Sequence, residues 1–399
     1  MRMTFDQLGL NAAVLKAVTD SGYETPTAIQ AQAIPLVLAG RDVVGASQTG
    51  TGKTAAFALP SLSKILPLGK PQILVLEPTR ELAHQVAEQF IKYGKHTGLK
   101  TALLYGGVGY GEQAKQLEEG ADIVVATPGR LMDHFYRATM RFGALKILVL
   151  DEVDRMLDMG FLPQVRKIVN LCPWGERQTL LFSATMPAAI QTFAQWCLTD
   201  PISVEIAKRA VASTVTHAFY PVAMDQRDEL LVALLDGTEW HSVIIFTRTR
   251  KEADQVTDIL KESGHPKVVA MHSDVSQKDR MEALQGFRDG KYDVLVATDV
   301  AARGIDISGV SHVINYRVPE NAEDYVHRIG RTGRAEAEGD AFTILTADEL
   351  DYAKSVEVYV DQKIPRKKLE NFAYTYTAML DDEPIRQIRR KSSGPKKRR

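Results

Sequence analysis

Asp42-Val-Val-Gly-Ala-Ser-Gln-Thr-Gly-Thr-Gly-Lys-Thr-Ala-Ala-Phe-Ala-Leu59 reads as a short apolar strand, a turn punctuated by glycine and the start of an apolar helix. The strand, Asp42 to Ala46, ends where Ser47-Gln-Thr-Gly-Thr-Gly-Lys-Thr54 begins. A Gly-rich turn lets backbone N–H groups approach a phosphate closely, and the helix opening at Ala55 aims its N-terminus at the same place. Ser47, Gln48, Thr49, Gly50, Thr51 and Gly52 would cradle the phosphates, Lys53 would reach the outer ones, and Thr54 a magnesium ion. The general pattern begins with Gly where this chain has Ser47. A plain Gly-rich turn before a core helix is the competing reading, and the strand before and helix after disfavour it.

Strands of the same kind recur outward from this point. Ile73 to Leu76, Ile123 to Ala126, Ile147 to Leu150 and Thr179 to Phe182 are short continuous Val, Ile and Leu runs, separated by helix-like stretches such as Glu81 to Tyr93. Such runs suit strands covered on both faces, which predicts a doubly wound parallel sheet. Val243 to Phe246, Val268 to Met271, Val294 to Ala297 and His312 to Asn315 repeat the scheme, and Ala121-Asp-Ile-Val-Val-Ala-Thr127 echoes Tyr292-Asp-Val-Leu-Val-Ala-Thr298. The fold class is therefore α/β, with two tandem doubly wound parallel-sheet domains joined by a flexible linker. We expect the first domain over residues 1–207, the linker over 208–215 within the polar stretch Ile206 to Val215, and the second domain over 216–370. Residues 371–399 form a basic tail whose pattern is that of a disordered segment.

Composition agrees. With 399 residues, 45% of them hydrophobic and 25% charged, the chain can bury two cores and is not a disordered one. No run approaches the roughly 20 apolar residues of a membrane span, and Met1 to Leu10 carries Arg2 and Asp6 without an apolar signal core, so a cytoplasmic protein with no membrane partner is expected. Cys172 and Cys197 lack metal-ligand pairing and read as small hydrophobes. The net charge of −1 hides eight Lys or Arg at 386, 389, 390, 391 and 396 to 399, which leaves residues 1–384 at −9. Any polyanion must then be gripped by local groups, with the tail supplying long-range attraction. That tail also reads as a solubilising terminus, and Pro395-Lys-Lys-Arg-Arg399 resembles a nuclear import signal.

The magnesium partner follows the strand Ile147 to Leu150, which runs straight into Asp151-Glu152-Val153-Asp154. Asp151 at a strand's carboxyl end can hold hydrated magnesium, and Glu152 can orient and deprotonate an attacking water. One acid there would read as a helix N-cap. Two acids after a buried strand, with a phosphate loop upstream, reverse that preference. Near the other end, His327-Arg-Ile-Gly-Arg-Thr-Gly-Arg334 sets arginines at fixed spacing in a Gly-punctuated turn. Delivered across a domain interface, Arg331 and Arg334 would neutralise charge developing on a transferring phosphoryl group.

Together these motifs resemble the DEAD-box RNA helicases, ATP-dependent enzymes built of two RecA-like domains, over roughly residues 5 to 350 and in the family's order. The resemblance implies an RNA-dependent ATPase that uses ATP and magnesium. Gly22-Tyr23-Glu-Thr25-Pro-Thr-Ala-Ile-Gln30 is similar to the adenine-reading motif, with the aromatic Phe5 placed 17 residues before Gly22. Gln30 can use both sides of its amide on adenine. Pro78-Thr79-Arg80, Gly106-Gly107 and Thr127-Pro128-Gly-Arg130 resemble the family's RNA path on the first domain. Thr249-Arg250, Gln277 to Arg280 and Thr298 resemble that on the second. Ser183-Ala-Thr185 resembles the segment coupling hydrolysis to strand separation, Gly304 and Asp306 a segment touching nucleotide, and His327 to Arg334 the arginine fingers.

Loops carrying Thr, Gly and Arg suit phosphate and sugar oxygens and do not read base edges, so RNA binding largely indifferent to sequence is expected. Taken singly, each such loop reads as a turn or helix cap. The family's precedent implies that ATP and RNA each promote closure of the two domains, that short duplexes are separated or RNA–protein complexes remodelled, and that the core is monomeric. Ribosome assembly, RNA decay and cold adaptation are all compatible pathways. Four positions depart from the family pattern: Val153 for Ala, Ala28 for Pro, Ser273 where glycine would permit positive φ, and Arg317 where an acid is usual. A noncatalytic RNA clamp and a DNA-translocating helicase of the same superfamily are the alternatives; an altered Glu152 or missing fingers would signal the first, and loss of Gln30 and Thr-Pro-Gly-Arg the second.

Overall fold

A computed structural model describes residues 3–46, 51–205, 214–302, 307, 309–333 and 338–375. It divides into two compact units, Met1–Lys208 and Arg209–Arg399.

In the first unit the described residues form a parallel sheet of β1 (Val43–Ala46), β2 (Ile73–Leu76), β3 (Thr101–Leu104), β4 (Ile123–Ala126), β5 (Ile147–Leu150), β6 (Gln178–Ser183) and β7 (Ile202–Glu205). Their spatial order is β3-β4-β2-β5-β6-β1-β7. Side chains alternate along each strand, so β2 sends Ile73 and Val75 into one core and Leu74 and Leu76 into the other. The first core is closed by the helices Ala12–Asp20, Ala28–Leu38, Lys53–Lys64 and Arg80–Tyr93. The second is closed by Pro128–Tyr136, Val153–Asp158, Leu162–Leu171 and Ala188–Cys197. Covering both faces with helices is what makes the strands continuously apolar.

The second unit repeats the plan with β8 (Val215–Pro221), β9 (Val243–Thr247), β10 (Val268–Met271), β11 (Val294–Thr298), β12 (His312–Asn315) and β13 (Gly339–Leu345), ordered β10-β11-β9-β12-β13-β8 and again parallel. Helices Gln277–Arg288, Ala322–Ile329 and Leu350–Val360 cover one face, and Arg227–Asp236 and Arg250–Glu262 the other.

Two boundary expectations change. Val215, read as the last linker residue, is the first residue of β8 and pairs with Gly339, because its side chain is buried against the sheet. The start of the tail, read as disordered from residue 371, is held through Thr375. Gln226 donates to the Ala373 carbonyl at 2.8 Å and accepts from Thr375 N at 2.7 Å, while Phe372 and Tyr374 pack on the core. Linker residues 208–213 and tail residues 376–399 lie outside the described set. Among the described residues no helix is long and apolar enough to cross a membrane. Cys172 and Cys197 are buried and unbridged, and burial pushes both thiols up to about 12.

Candidate nucleotide and RNA sites

In the first unit the carboxyl ends of β5, β6 and β1 lie side by side, at the edge where ligands bind in open α/β sheets. Lys53, the first residue of its helix, pairs with Glu152 through Nζ and Oε1 at 2.9 Å. Both are almost wholly buried, 5% and 3% exposed. Burial alone would lower the Lys53 pKa, but the Glu152 and Asp151 carboxylates outweigh it and hold the ammonium charged. Burial pushes Asp151 up to about 7 against the pull of Lys53.

Glu152 takes φ 52° and ψ 48°, a left-handed conformation that a non-glycine residue adopts only under constraint. That single residue turns the chain from β5 into the helix Val153–Asp158. Its N–H donates to Asp151 Oδ1 at 2.9 Å, and Arg155 Nε stands 3.1 Å from its Oε2. Asp154 Oδ2 accepts from the backbone of Ala184 at 2.9 Å and of Thr185 at 2.8 Å, and from the Thr185 hydroxyl at 3.2 Å. Ser183 Oγ accepts from Asp154 N and donates to the Thr185 carbonyl at 2.7 Å. Ser183 and Thr185 are thus fastened to the acidic turn, and a shift in either segment is carried to the other.

Beside this pocket, Thr27 and Gln30 form a capping box, with Thr27 N donating to Gln30 Oε1 at 2.9 Å. The Gln30 amide then donates to the Gly52 carbonyl at 3.1 Å. Gly52 has φ 92°, and a β-carbon there would collide with that amide, so glycine is required on two counts. The bonds to Thr27 and Gly52 use one N–H and one lone pair of the Gln30 amide, which has one more of each. Tyr23 is 41% exposed with Lys92 Nζ 4.9 Å over its ring, and Thr25 is exposed. Phe5 is buried in the core cluster that also holds Leu8. Thr51 and Thr54 are half-buried. Ser47, Gln48, Thr49 and Gly50 lie outside the described residues, as do Gly304, Asp306 and Arg334.

Along the same edge, Thr79 caps the helix Arg80–Tyr93 by accepting from Leu82 N at 3.3 Å, with Pro78 buried before it. Arg80 lies against Gly107, φ 83°, so closely that any β-carbon there would strike the guanidinium. Thr127 is half-buried at the N-cap of Pro128–Tyr136, with Pro128 at the helix start. Arg130 is turned inward: it donates to Gln113 Oε1 at 3.2 Å and to the Val108 carbonyl at 2.8 Å, and stacks 4.2 Å from the Tyr110 ring centre. These contacts hold the Val108–Tyr110 loop.

In the second unit, exposed Thr249 caps the helix Arg250–Glu262 in a box with Glu252, and exposed Arg250 pairs with Asp274. Gln277 opens its helix, half-buried, and Arg280 donates to the Ala301 carbonyl at 3.5 Å. Thr298 ends β11, buried. His327 Nε2 is 3.9 Å from Glu323 Oε1, and buried Arg331 accepts from Gly309 N through its carbonyl at 3.0 Å. Arg328, outside the expected set, binds Asp299 in fork geometry at 2.7 and 2.6 Å and Asn315 Oδ1 at 3.0 Å. It joins the segment after β11 to the helix that carries His327.

The chain matches the family model for DEAD/DEAH box helicases over residues 27–193 and the helicase conserved C-terminal domain over 226–336. It is 45% identical to the DEAD-box ATP-dependent RNA helicase RhpA of Helicobacter pylori, across 90% of this chain and 73% of that one. The chain belongs to the DEAD-box RNA helicase family. Identity to CshA of Bacillus subtilis is 43%, over 92% of this chain and 74% of the relative. Among solved structures, Saccharomyces cerevisiae Dbp5 bound to RNA and ADP BeF3 aligns with a TM-score of 0.83 at 32% identity, covering 92% of this chain and 96% of that one. This DEAD-box protein is an RNA-dependent ATPase and RNA helicase with two RecA-like domains.

The departures of this DEAD-box chain have local explanations. Val153 is fully buried in the second core, where two more methyl groups find room. Ala28 is the first residue of its helix, which the Thr27–Gln30 box secures without proline. Ser273 is not among the described residues with positive φ, so its β-carbon meets no left-handed strain. Arg317 pairs with Glu252 and, at 3.4 Å, with Glu349, a buried acid that Arg227 and Arg248 also hold at 3.1 and 3.4 Å. The reversed charge is absorbed by acids of its own domain.

Proposed function

We propose that this helicase hydrolyses ATP at the carboxyl edge of the first sheet, with the second domain completing the reaction centre when RNA and ATP are both bound. The buried Lys53–Glu152 pair carries this reading. A lysine and a carboxylate paired in a dry pocket hold each other, with Arg155 also beside the carboxylate, until a polyphosphate and a water take their places. Lys53 then moves to the outer phosphates, and Glu152, released, accepts the proton of the attacking water. Gln30 takes the adenine edge with its remaining donor and acceptor.

Thr54 and Asp151 are the residues that would hold magnesium, which when bound offsets the phosphate charge. The fit rests on the buried acids: Glu77, Asp151 and Glu152 gather there against Lys53 and Arg155.

Arg331 and Arg334 act as fingers on the transferring phosphoryl group, and Thr79, Arg80, Gly107, Thr127, Thr249, Arg250, Gln277 and Arg280 grip the RNA backbone without reading bases. Short duplexes open as the domains close, ATP and RNA strengthen each other's binding, and the basic tail adds salt-sensitive attraction. The protein works in the cytoplasm, its core as a monomer. Glu152→Gln tests the assignment: hydrolysis should fall by about 10²–10⁴-fold while ATP and RNA still bind. Undiminished turnover would remove Glu152 as the base.

A further inference from the structure

Glu77 stands immediately beyond β2, next to Asp151. Leu76 is paired with Leu150, and Asp151 N donates to the Leu76 carbonyl at 3.2 Å, so the two acids leave neighbouring strand ends in register. Alternation puts Glu77 on the face of Ile73 and Val75 and Asp151 on the face of Ile147 and Val149, which is the face covered by the helix Lys53–Lys64. Glu77 is completely buried, yet neither carboxylate oxygen has a hydrogen-bond partner among the described residues. Asp151 and Glu152 are near enough to repel it, Lys53 and Arg155 to attract it.

A buried acid with no partner is destabilising, and keeping one calls for a group that arrives from outside. Burial, with Asp151 and Glu152 beside it, pushes the Glu77 carboxyl well above its usual range, and a cation arriving at Asp151 is the kind of group that would favour its charged form. Residues at the next strand end cannot replace the ligands of a magnesium ion that keeps its waters, but they can orient those waters.

We infer that Glu77 is a positioning residue, accepting a hydrogen bond from a water in the magnesium shell held at Asp151 and thereby setting the metal affinity of the nucleotide site. This rests on the reading of Thr54 and Asp151 as the magnesium site. The alternative partner is Arg155, which would make Glu77 a structural counter-ion.

The test uses the full chain and a fluorescent ADP titrated with magnesium, for wild type and Glu77→Gln. Affinity in EDTA should agree within about twofold, the half-saturating magnesium should rise by about 10–100-fold in the variant, and unfolding without metal should be unchanged or harder. Electron paramagnetic resonance of manganese with ADP should show the same loss of bound metal. Unaltered metal dependence overturns the inference, and if unfolding is also easier, Glu77 serves Arg155 instead. Equal loss in EDTA and in magnesium would mean that it only shapes the pocket. Wild-type ADP binding that ignores magnesium would sink the underlying metal site itself, a distinguishable result.

Discussion

The two parallel-sheet units are built alike but spend their charged residues differently. In the first, Lys53, Glu77, Asp151, Glu152 and Arg155 are all buried at one strand edge. In the second, Thr249 and Arg250 stand in solvent at the corresponding edge, and buried charges such as Arg227 on Glu349 and Arg328 on Asp299 are internal braces. A buried cluster is poised for chemistry, since low dielectric strengthens each interaction and makes unpaired groups costly. An exposed edge is suited to holding a polymer, with modest contacts that water can replace.

Removing the Arg328 brace should have the largest effect. Arg328→Ala leaves Asp299 and Asn315 without their buried partner and should destabilise the second domain by about 3–5 kcal/mol in urea unfolding. A loss under about 1 kcal/mol would show that the segments hold without it. Next comes Gly52→Ala, which forces φ 92° on a residue with a β-carbon and displaces Gln30. It should cost about 1–3 kcal/mol and weaken ADP binding measurably; wild-type affinity would mean the loop reshapes freely.

Asp151→Asn should act in the opposite direction. The folded value of about 7 exceeds the ordinary 3.8, so the folded protein binds more protons between them, and stability falls as pH rises through that window. In metal-free, nucleotide-free protein at pH 8 the variant should gain at least about 1 kcal/mol, roughly 2–4 °C in Tm. Equal or lower Tm would contradict burial as the cause. Arg250→Ala, the smallest change, should leave stability within about 0.5 kcal/mol and reduce the salt dependence of RNA binding by about one phosphate contact. An unaltered salt slope would exclude that contact.

Central strands were legible because burial on both faces leaves only apolar residues, as in Ile147 to Leu150. The edge strands β3, β7 and β8 were not. Thr101–Leu104 and Ile202–Glu205 alternate or face solvent, and Val215–Pro221 carries His217 and ends in proline. Strand β13 escaped notice because it opens Gly-Asp and buries Thr343, whose hydroxyl is satisfied by Asn315. The phosphate loop and the acidic pair could be read because strand, turn and helix are contiguous there. Glu77, Arg328 and the inward turn of Arg130 depend on register and packing between distant segments, which local pattern does not encode. A lone Glu before Pro-Thr-Arg carries no signal until β2 is laid beside β5.

The Gln30–Gly52 contact has a consequence for changing this molecule, whether by drift or design. Two positions far apart in sequence are locked as one part: a larger residue at Gly52 evicts the amide, and a shorter one at position 30 strips the loop of its prop. Neither can be altered profitably alone, so a viable change at one position requires a compensating change at the other, which makes the pair hard to erode one mutation at a time.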